Sequence, residues 1–141
     1  MSKSPTLDRE PYVLAMILAD AVHQDPGTGK FTILGTFHVI HVGEFPTPVQ
    51  FSVYFAVTDW LGKGILRIQL VDELQHLADE GSGPLFAAEI DTENYDPLEV
   101  LEAVVRVTAD IEHEGAYFCE LYADEAPIIS RRVVIYGPDI E

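Results

Sequence analysis

Between Leu101 and Glu112 lies the cleanest two-residue alternation in the chain. Leu101, Ala103, Val105, Val107, Ala109 and Ile111 fall on one side of an extended backbone, and Glu102, Arg106, Thr108, Asp110 and Glu112 on the other. Period-two patterning of this length is the mark of a strand with one face in a core and one in water, because successive side chains of a strand point to opposite faces. A chain that contains such a strand must supply neighbours for it. Phe51, Val53, Phe55 and Val57 offer a second apolar face, within a run from Gln50 to Thr58. Leu66, Ile68 and Leu70 offer a third, and Tyr117, Cys119 and Leu121, within Gly115 to Ala123, a fourth. Further extended runs are read at Lys30 to Val42, Leu85 to Asp91 and Ile128 to Tyr136. Breakers fall between the runs at fairly regular intervals, the rhythm of an all-β sandwich or barrel.

Tyr12 to Val22 is apolar on both strand faces and fits either a doubly buried strand or a short helix. The Asp25-Pro26-Gly27 turn that follows, leading into another extended run, selects the strand. Gly35 interrupts its run as a bulge or a point of close approach. Asp96-Pro97-Leu98-Glu99 has the residues of a helix start, so at most one short helix is expected, near residues 97–102. The expected architecture is a two-sheet antiparallel β-sandwich of about eight strands, and the spacing leaves jelly-roll and immunoglobulin-like topologies both open. A single domain over residues 11–137 is expected, with a flexible segment at 1–10 and a tail at 138–141. The connection from Asp72 to Pro84 is the expected mobile loop.

The chain is 141 residues long and 48% hydrophobic, enough to bury roughly two-thirds of its unfolded surface without a disulfide or a metal. Against 8 Lys and Arg stand 24 Asp and Glu, a formal charge of −16. Such a surface repels phosphate backbones and anionic lipid, so neither nucleic acid nor membrane is an expected partner. A solubilising surface is the plain account of the acid. The one cysteine, Cys119, has no internal partner for a disulfide. The polar first ten residues do not read as a signal peptide, and a cytoplasmic protein is expected.

Three segments carry a resemblance: residues 29–37 (Gly-Lys-Phe-Thr-Ile-Leu-Gly-Thr-Phe), Gly115-Ala116-Tyr117-Phe118, and Val133-Val134-Ile135-Tyr136-Gly137. Together they make the chain similar to a bacterial domain family of unknown function built of small β-sandwich proteins. The resemblance covers most of the chain and rests on turn glycines, a bulge and a terminal hairpin. It implies the fold and a bacterial origin, and it brings no catalytic residues.

The residues offer little chemistry of their own. Asp25 to Lys30 is not a phosphate-binding loop, since Gln24 replaces the first Gly, Phe31 the Ser or Thr, and a strand follows instead of a helix. Cys119 with His113 would make a nucleophile and base, but Cys119 shares its face with Tyr117 and Leu121, the setting of an inert core thiol. His38 and His41 point to opposite faces of a strand. A hydrolase built from two carboxylates would need one with a raised pKa, for which there is no sign.

One arrangement remains. If consecutive strands alternate direction, the loops at 23–29, 59–64, 92–97 and 124–127 emerge at one end. That end gathers Asp25, Asp59, Glu93, Asp96, Asp124 and Glu125 as candidate ligands for Ca²⁺, which takes about six to eight oxygens. Trp60 and Tyr95 would line a sugar or peptide site there. The other end, with Glu44, Asp72, Glu73, Asp79, Glu80, Glu112 and Glu114 beside His76 and His113, is equally acidic. The leading expectation is therefore a non-catalytic protein-interaction or assembly module without a cofactor, using a protein partner or self-association into a homodimer. A Ca²⁺- or carbohydrate-binding domain is the alternative.

Overall fold

The computed structural model describes residues 7–9, 11–74 and 83–138. Among them are ten strands: β1 (Leu7–Arg9), β2 (Tyr12–Gln24), β3 (Phe31–Thr36), β4 (Val39–His41), β5 (Thr47–Thr58), β6 (Leu61–Asp72), β7 (Phe86–Asn94), β8 (Val100–Ile111), β9 (Gly115–Ala123) and β10 (Ala126–Tyr136). One sheet has the order β3-β2-β5-β8. The other runs β7-β6-β9-β10-β4, with β1 pairing β6 at Leu7↔Gly62. The chain expected to be flexible through residue 10 thus supplies a short strand at Leu7–Arg9, and the rest of residues 1–10 apart from these lies outside the described residues.

The core follows from the alternation. Val49, Phe51, Val53, Phe55 and Val57 of β5 are all buried, and so are Val105, Val107, Ala109 and Ile111 of β8 beside them. The facing sheet contributes Leu66, Ile68, Leu70, Tyr117, Cys119, Leu121, Val133 and Ile135. Each such aliphatic or aromatic side chain contributes about 1.5–3 kcal/mol when taken fully from water. The β5–β8 ladder runs unbroken from Thr47↔Ile111 to Thr58↔Val100.

The pairing decides the topology. β2-β5-β8 packs against β7-β6-β9-β10, which is the immunoglobulin-like order of first, second and fifth strands against the third, its neighbour, the sixth and the seventh. One pairing departs from expectation. β4 runs parallel to β10 at Val39↔Val134, so the sandwich is not wholly antiparallel. The helix start at Asp96 closes only one turn, Glu99 N donating to Asp96 O at 3.0 Å, and β8 begins at Val100. Most of the expected mobile loop, residues 75–82, falls outside the described residues.

The largest departure is in the second run. The β2 ladder with β5 stops at Ala19↔Ser52, where the ladder with β3 begins at Ala19↔Thr36. The β2–β3 hairpin therefore leaves the sheet as an arm. Gly35 adopts φ 73°, and immediately beyond it the chain crosses to the other sheet, where β4 meets β10. That crossing also reverses the chain, because β3 and β5 both run antiparallel to β2. Among the described residues no helix is long and apolar enough to cross a membrane.

Candidate functional site

The reversal at Gly35 dismantles the expected loop cluster. Asp25 follows Gln24, at one end of β2, whereas Asp59 follows Thr58, which pairs with Tyr12 at the other. The length of β2 separates them, roughly 40 Å of extended chain. Asp59, Glu93, Tyr95 and Asp96 do share an end, since Thr58 pairs Val100 and Gly62 pairs Asn94. Their polar groups are turned to local work. Asp96 Oδ1 accepts from Leu98 N at 3.0 Å, and Tyr95 donates to Glu93 at 3.2 Å. Asp124 lies further along β6, where its carboxylate accepts from Ile65 N at 2.8 Å. Asp124 and Glu125 form a turn with φ 47° and 73°, tight enough to close the β9–β10 hairpin. Among the described residues no three His, Cys, Asp or Glu side chains come together as a set that could hold a metal ion.

Trp60 is a correction. The residue is 5% exposed and belongs to the core, so it offers no platform to a sugar or peptide. Asp59, at φ 63°, turns the chain there, and Asn94 Nδ2 donates to the Trp60 carbonyl at 2.8 Å, fixing the backbone. Only Tyr95 of the expected aromatic pair is exposed.

At the opposite end stands a group of titratable side chains. His113 Nε2 lies 2.6 Å from Oδ2 of the buried Asp72, and its Nδ1 lies 3.0 Å from the Glu114 carbonyl. Both ring nitrogens face acceptors, so only the imidazolium satisfies both. The Glu114 carbonyl, then the Asp72 carboxylate and the charge of Glu112, hold the His113 pKa above its ordinary value against partial burial. Tyr117 stacks on the ring and donates to the His113 carbonyl at 2.6 Å. Burial pushes the Tyr117 hydroxyl up to about 12. This geometry ties the end of β6 to the β8–β9 turn. A general base needs a free nitrogen beside its nucleophile, and neither nitrogen of His113 is free. Cys119 is wholly buried, and burial pushes its thiol up to about 12, far from the thiolate a nucleophile requires.

The exposed apolar residues point elsewhere, to the outer face and free edge of the four-stranded sheet. Thr58, flanked by Tyr12 on one side and Val100 on the other, makes a row across that face. Tyr12 is 64% exposed, Leu98 in the adjoining turn 86%, and Val100 49%, with Leu14 and Val104 also exposed. The arm covers part of the same face. Phe31 meets the ring of Tyr54 at 5.4 Å, and the outward-facing Ala19, Ser52 and Ala56 are buried. Arg106 reaches from β8 across Ser52 (3.0 Å) to the Asp20 carbonyl (2.9 Å), and Tyr54 donates to Glu102 at 2.5 Å. Among the described residues nothing covers the Tyr12, Leu98 and Val100 end.

Among the described residues β8 pairs with β5 alone, so its other side is a twelve-residue edge that no described strand occupies. β7 is also an edge, pairing only with β6 among the described residues, and carries Glu89, Asp91 and Glu93 exposed in succession along its outer face. Charges of one sign on an edge oppose its pairing with another chain. β8 has instead Glu102 and Arg106, of opposite sign, with Val104 between them. The sequence singles out β8 by its alternation but does not reveal that it lies at an edge. The opposite signs at positions 102 and 106 were the available signal.

Comparison with known proteins adds a family and little else. No curated protein matches the chain. Two structures of a beta-glucosidase from Listeria innocua are similar to it, one in complex with isofagomine at 11% identity and TM-score 0.45 and one with glucose at 10% and 0.44. Each likeness covers 95% of this chain and only 17% of the other, and at that TM-score it says nothing of what this chain does. A family model for a family of unknown function, DUF6941, matches residues 14–135, most of the chain, and the protein belongs to that family.

Proposed function

We propose that the chain is a non-catalytic protein-interaction module, and that its contact surface is the uncovered end of the four-stranded sheet together with the β8 edge. The observation that carries this reading is the exposure of Tyr12, Leu98 and Val100 beside an edge strand that lacks guarding charges of one sign. Apolar side chains gathered on one surface and rimmed by acid mark a place where another protein sits. The engaged imidazole of His113 and the buried thiol of Cys119 support a role without catalysis. Acidic composition and a lone, buried cysteine fit a cytoplasmic setting.

The test is capture from native lysate by immobilised protein, with the triple variant Tyr12→Ser, Leu98→Ser, Val100→Thr beside the wild type. These positions are exposed, so the fold should survive the changes. A protein retained by the wild type and lost by the variant supports the reading, and a second copy of the chain counts as such a protein. Equal retention by both, or no retention together with a strictly monomeric wild type, overturns it.

A further inference from the structure

We propose that the partner of the β8 edge is the β8 edge of a second copy, the two strands running antiparallel about a two-fold axis through Val104. This rests on the interaction-module reading and names the partner. An isologous contact must be self-complementary, residue i meeting j while j meets i. Centred on Val104, the edge fulfils that condition. Val104 meets Val104, Glu102 meets Arg106, Arg106 meets Glu102, and Val100 meets Thr108. All of these positions are exposed on the outer face of β8. On the inner face Ala103 meets Val105, so the apolar layer continues from one copy into the next. The two four-stranded sheets become one of eight.

Other centres that keep the faces aligned fare worse. An axis through Glu102 or Arg106 sets like charges opposite each other, which destabilises a strand pair. An axis through Ala103 or Val105 sets Arg106 against Val100 or Val104. An axis through Thr108 pairs Arg106 with Asp110, but engages only the last residues of the strand, which ends at Ile111, and leaves Val100 and Val104 outside. Glu102 and Arg106 now lie back over β5, on Tyr54 and on Ser52 and Gln50. Rotation about their own side-chain bonds brings them to the axis. The β7 edge offers no comparable solution, because Glu89, Asp91 and Glu93 put acid against acid in any antiparallel self-pairing centred among them.

The experiment is sedimentation equilibrium on the full chain with Glu102→Lys, Arg106→Glu and the combined swap, melting temperatures serving to show that each is folded. Each single change replaces two attractive cross-strand pairs by two repulsive ones and should weaken the dimer roughly tenfold or more. The swap restores the pairs with signs exchanged and should recover most of that loss. Asp110→Lys should leave the dimer in place, because Asp110 faces Leu98 of the other copy in this register and Arg106 only in the Thr108 register. A second readout does not depend on charge. Val104→Cys places two thiols across the axis at a Cα spacing of about 4.5–5.5 Å, suited to a disulfide, and should cross-link under mild oxidant. Val100→Cys, which faces Thr108, should not. Cys119 is too buried to interfere. A wild type that stays monomeric, Val104→Cys cross-linking no faster than Val100→Cys, or a swap no better than its single changes overturns the proposal. A monomer that still captures a patch-dependent partner from lysate overturns the self-pairing alone and leaves the interaction-module reading standing.

Discussion

Gly35→Ala should cost far more than an exposed strand residue normally does. Two separate effects act at this position. The backbone there has φ 73°, in the left-handed region, where an L side chain costs about 1–2 kcal/mol. The added Cβ would also collide with the Asp20 carboxylate, and would lie 3.0 Å from Asp20 Cγ and 3.2 Å from Asp20 Cβ. Overpacking of this kind costs about 1–3 kcal/mol, and the contact with Asp20 Cβ cannot be relieved by side-chain rotation. Together the terms give roughly 2–5 kcal/mol, a fall of about 6–20 °C in melting temperature for a domain of this size. Asp20→Ala removes the carboxylate and keeps the backbone carbonyl that accepts from Arg106. In a double-mutant cycle measured by urea unfolding, the pair should therefore recover about 1–2 kcal/mol of the loss, with the φ cost remaining. A Gly35→Ala protein within about 0.5 kcal/mol of wild type would refute the positive-φ argument, since a surface change without strain falls in that range. A cycle with no coupling would refute the steric one.

The indole nitrogen of Trp60 is buried without a hydrogen-bond partner among the described residues. Trp60→Phe removes that unsatisfied donor, worth about 1–3 kcal/mol, and leaves a small void of similar cost. Chemical denaturation should accordingly find the variant within about 1 kcal/mol of wild type, whereas Trp60→Ala should lose about 3–5 kcal/mol. A Phe variant as damaged as the Ala variant would show that the indole makes a contact this geometry lacks. For His113, a folded pKa raised above the unfolded one means that the folded state holds the proton more tightly. Its stabilisation is fully present below about pH 6.5 and fades as pH rises through the folded value. The difference in melting temperature between wild type and His113→Gln should shrink from pH 6 towards pH 9, and a difference that grows with pH would contradict the imidazolium assignment.

Alternation is a statement about faces, and the faces were legible. β8, the β9–β10 hairpin and the buried side of β5 follow from it residue by residue. Partners, edges and directions are a different matter. Lys30 to Val42 reads as one strand because its apolar spacing continues through Gly35, yet Gly35 sends the first half to β2 and the second to β10. One unseen reversal moved Asp25 to the wrong end and dissolved the expected acidic cluster. Trp60 looked like a loop aromatic because polar and Gly residues surround it. Its burial comes from the left-handed turn at Asp59, which points the ring inward, and no local pattern announces such a turn. Pro48 sits inside β5, opposite Asp110, on the stretch that β2 has left, which is where a residue without an N–H is tolerated.

Net charge sets a condition on any contact between copies. Each chain carries a formal −16, so two of them with centres about 35 Å apart repel by ~30 kcal/mol in unscreened water. Salt shortens the range of that repulsion to about 10 Å at 0.1 M and about 3 Å at 1 M, which removes nearly all of it. The two Glu102–Arg106 pairs across the axis are worth only about 0.2–1 kcal/mol each, so screening them costs little by comparison. Association through the β8 edge should therefore tighten as salt rises from 0.05 M to 0.5 M, the reverse of an interface held together by charge attraction. Sedimentation across that series reads the slope directly. Association that weakens steadily with salt would mean that local attraction outweighs the repulsion of the whole molecules. The contact would then be built on charges other than Glu102 and Arg106, and the exposed Val100 and Val104 would not be what drives it.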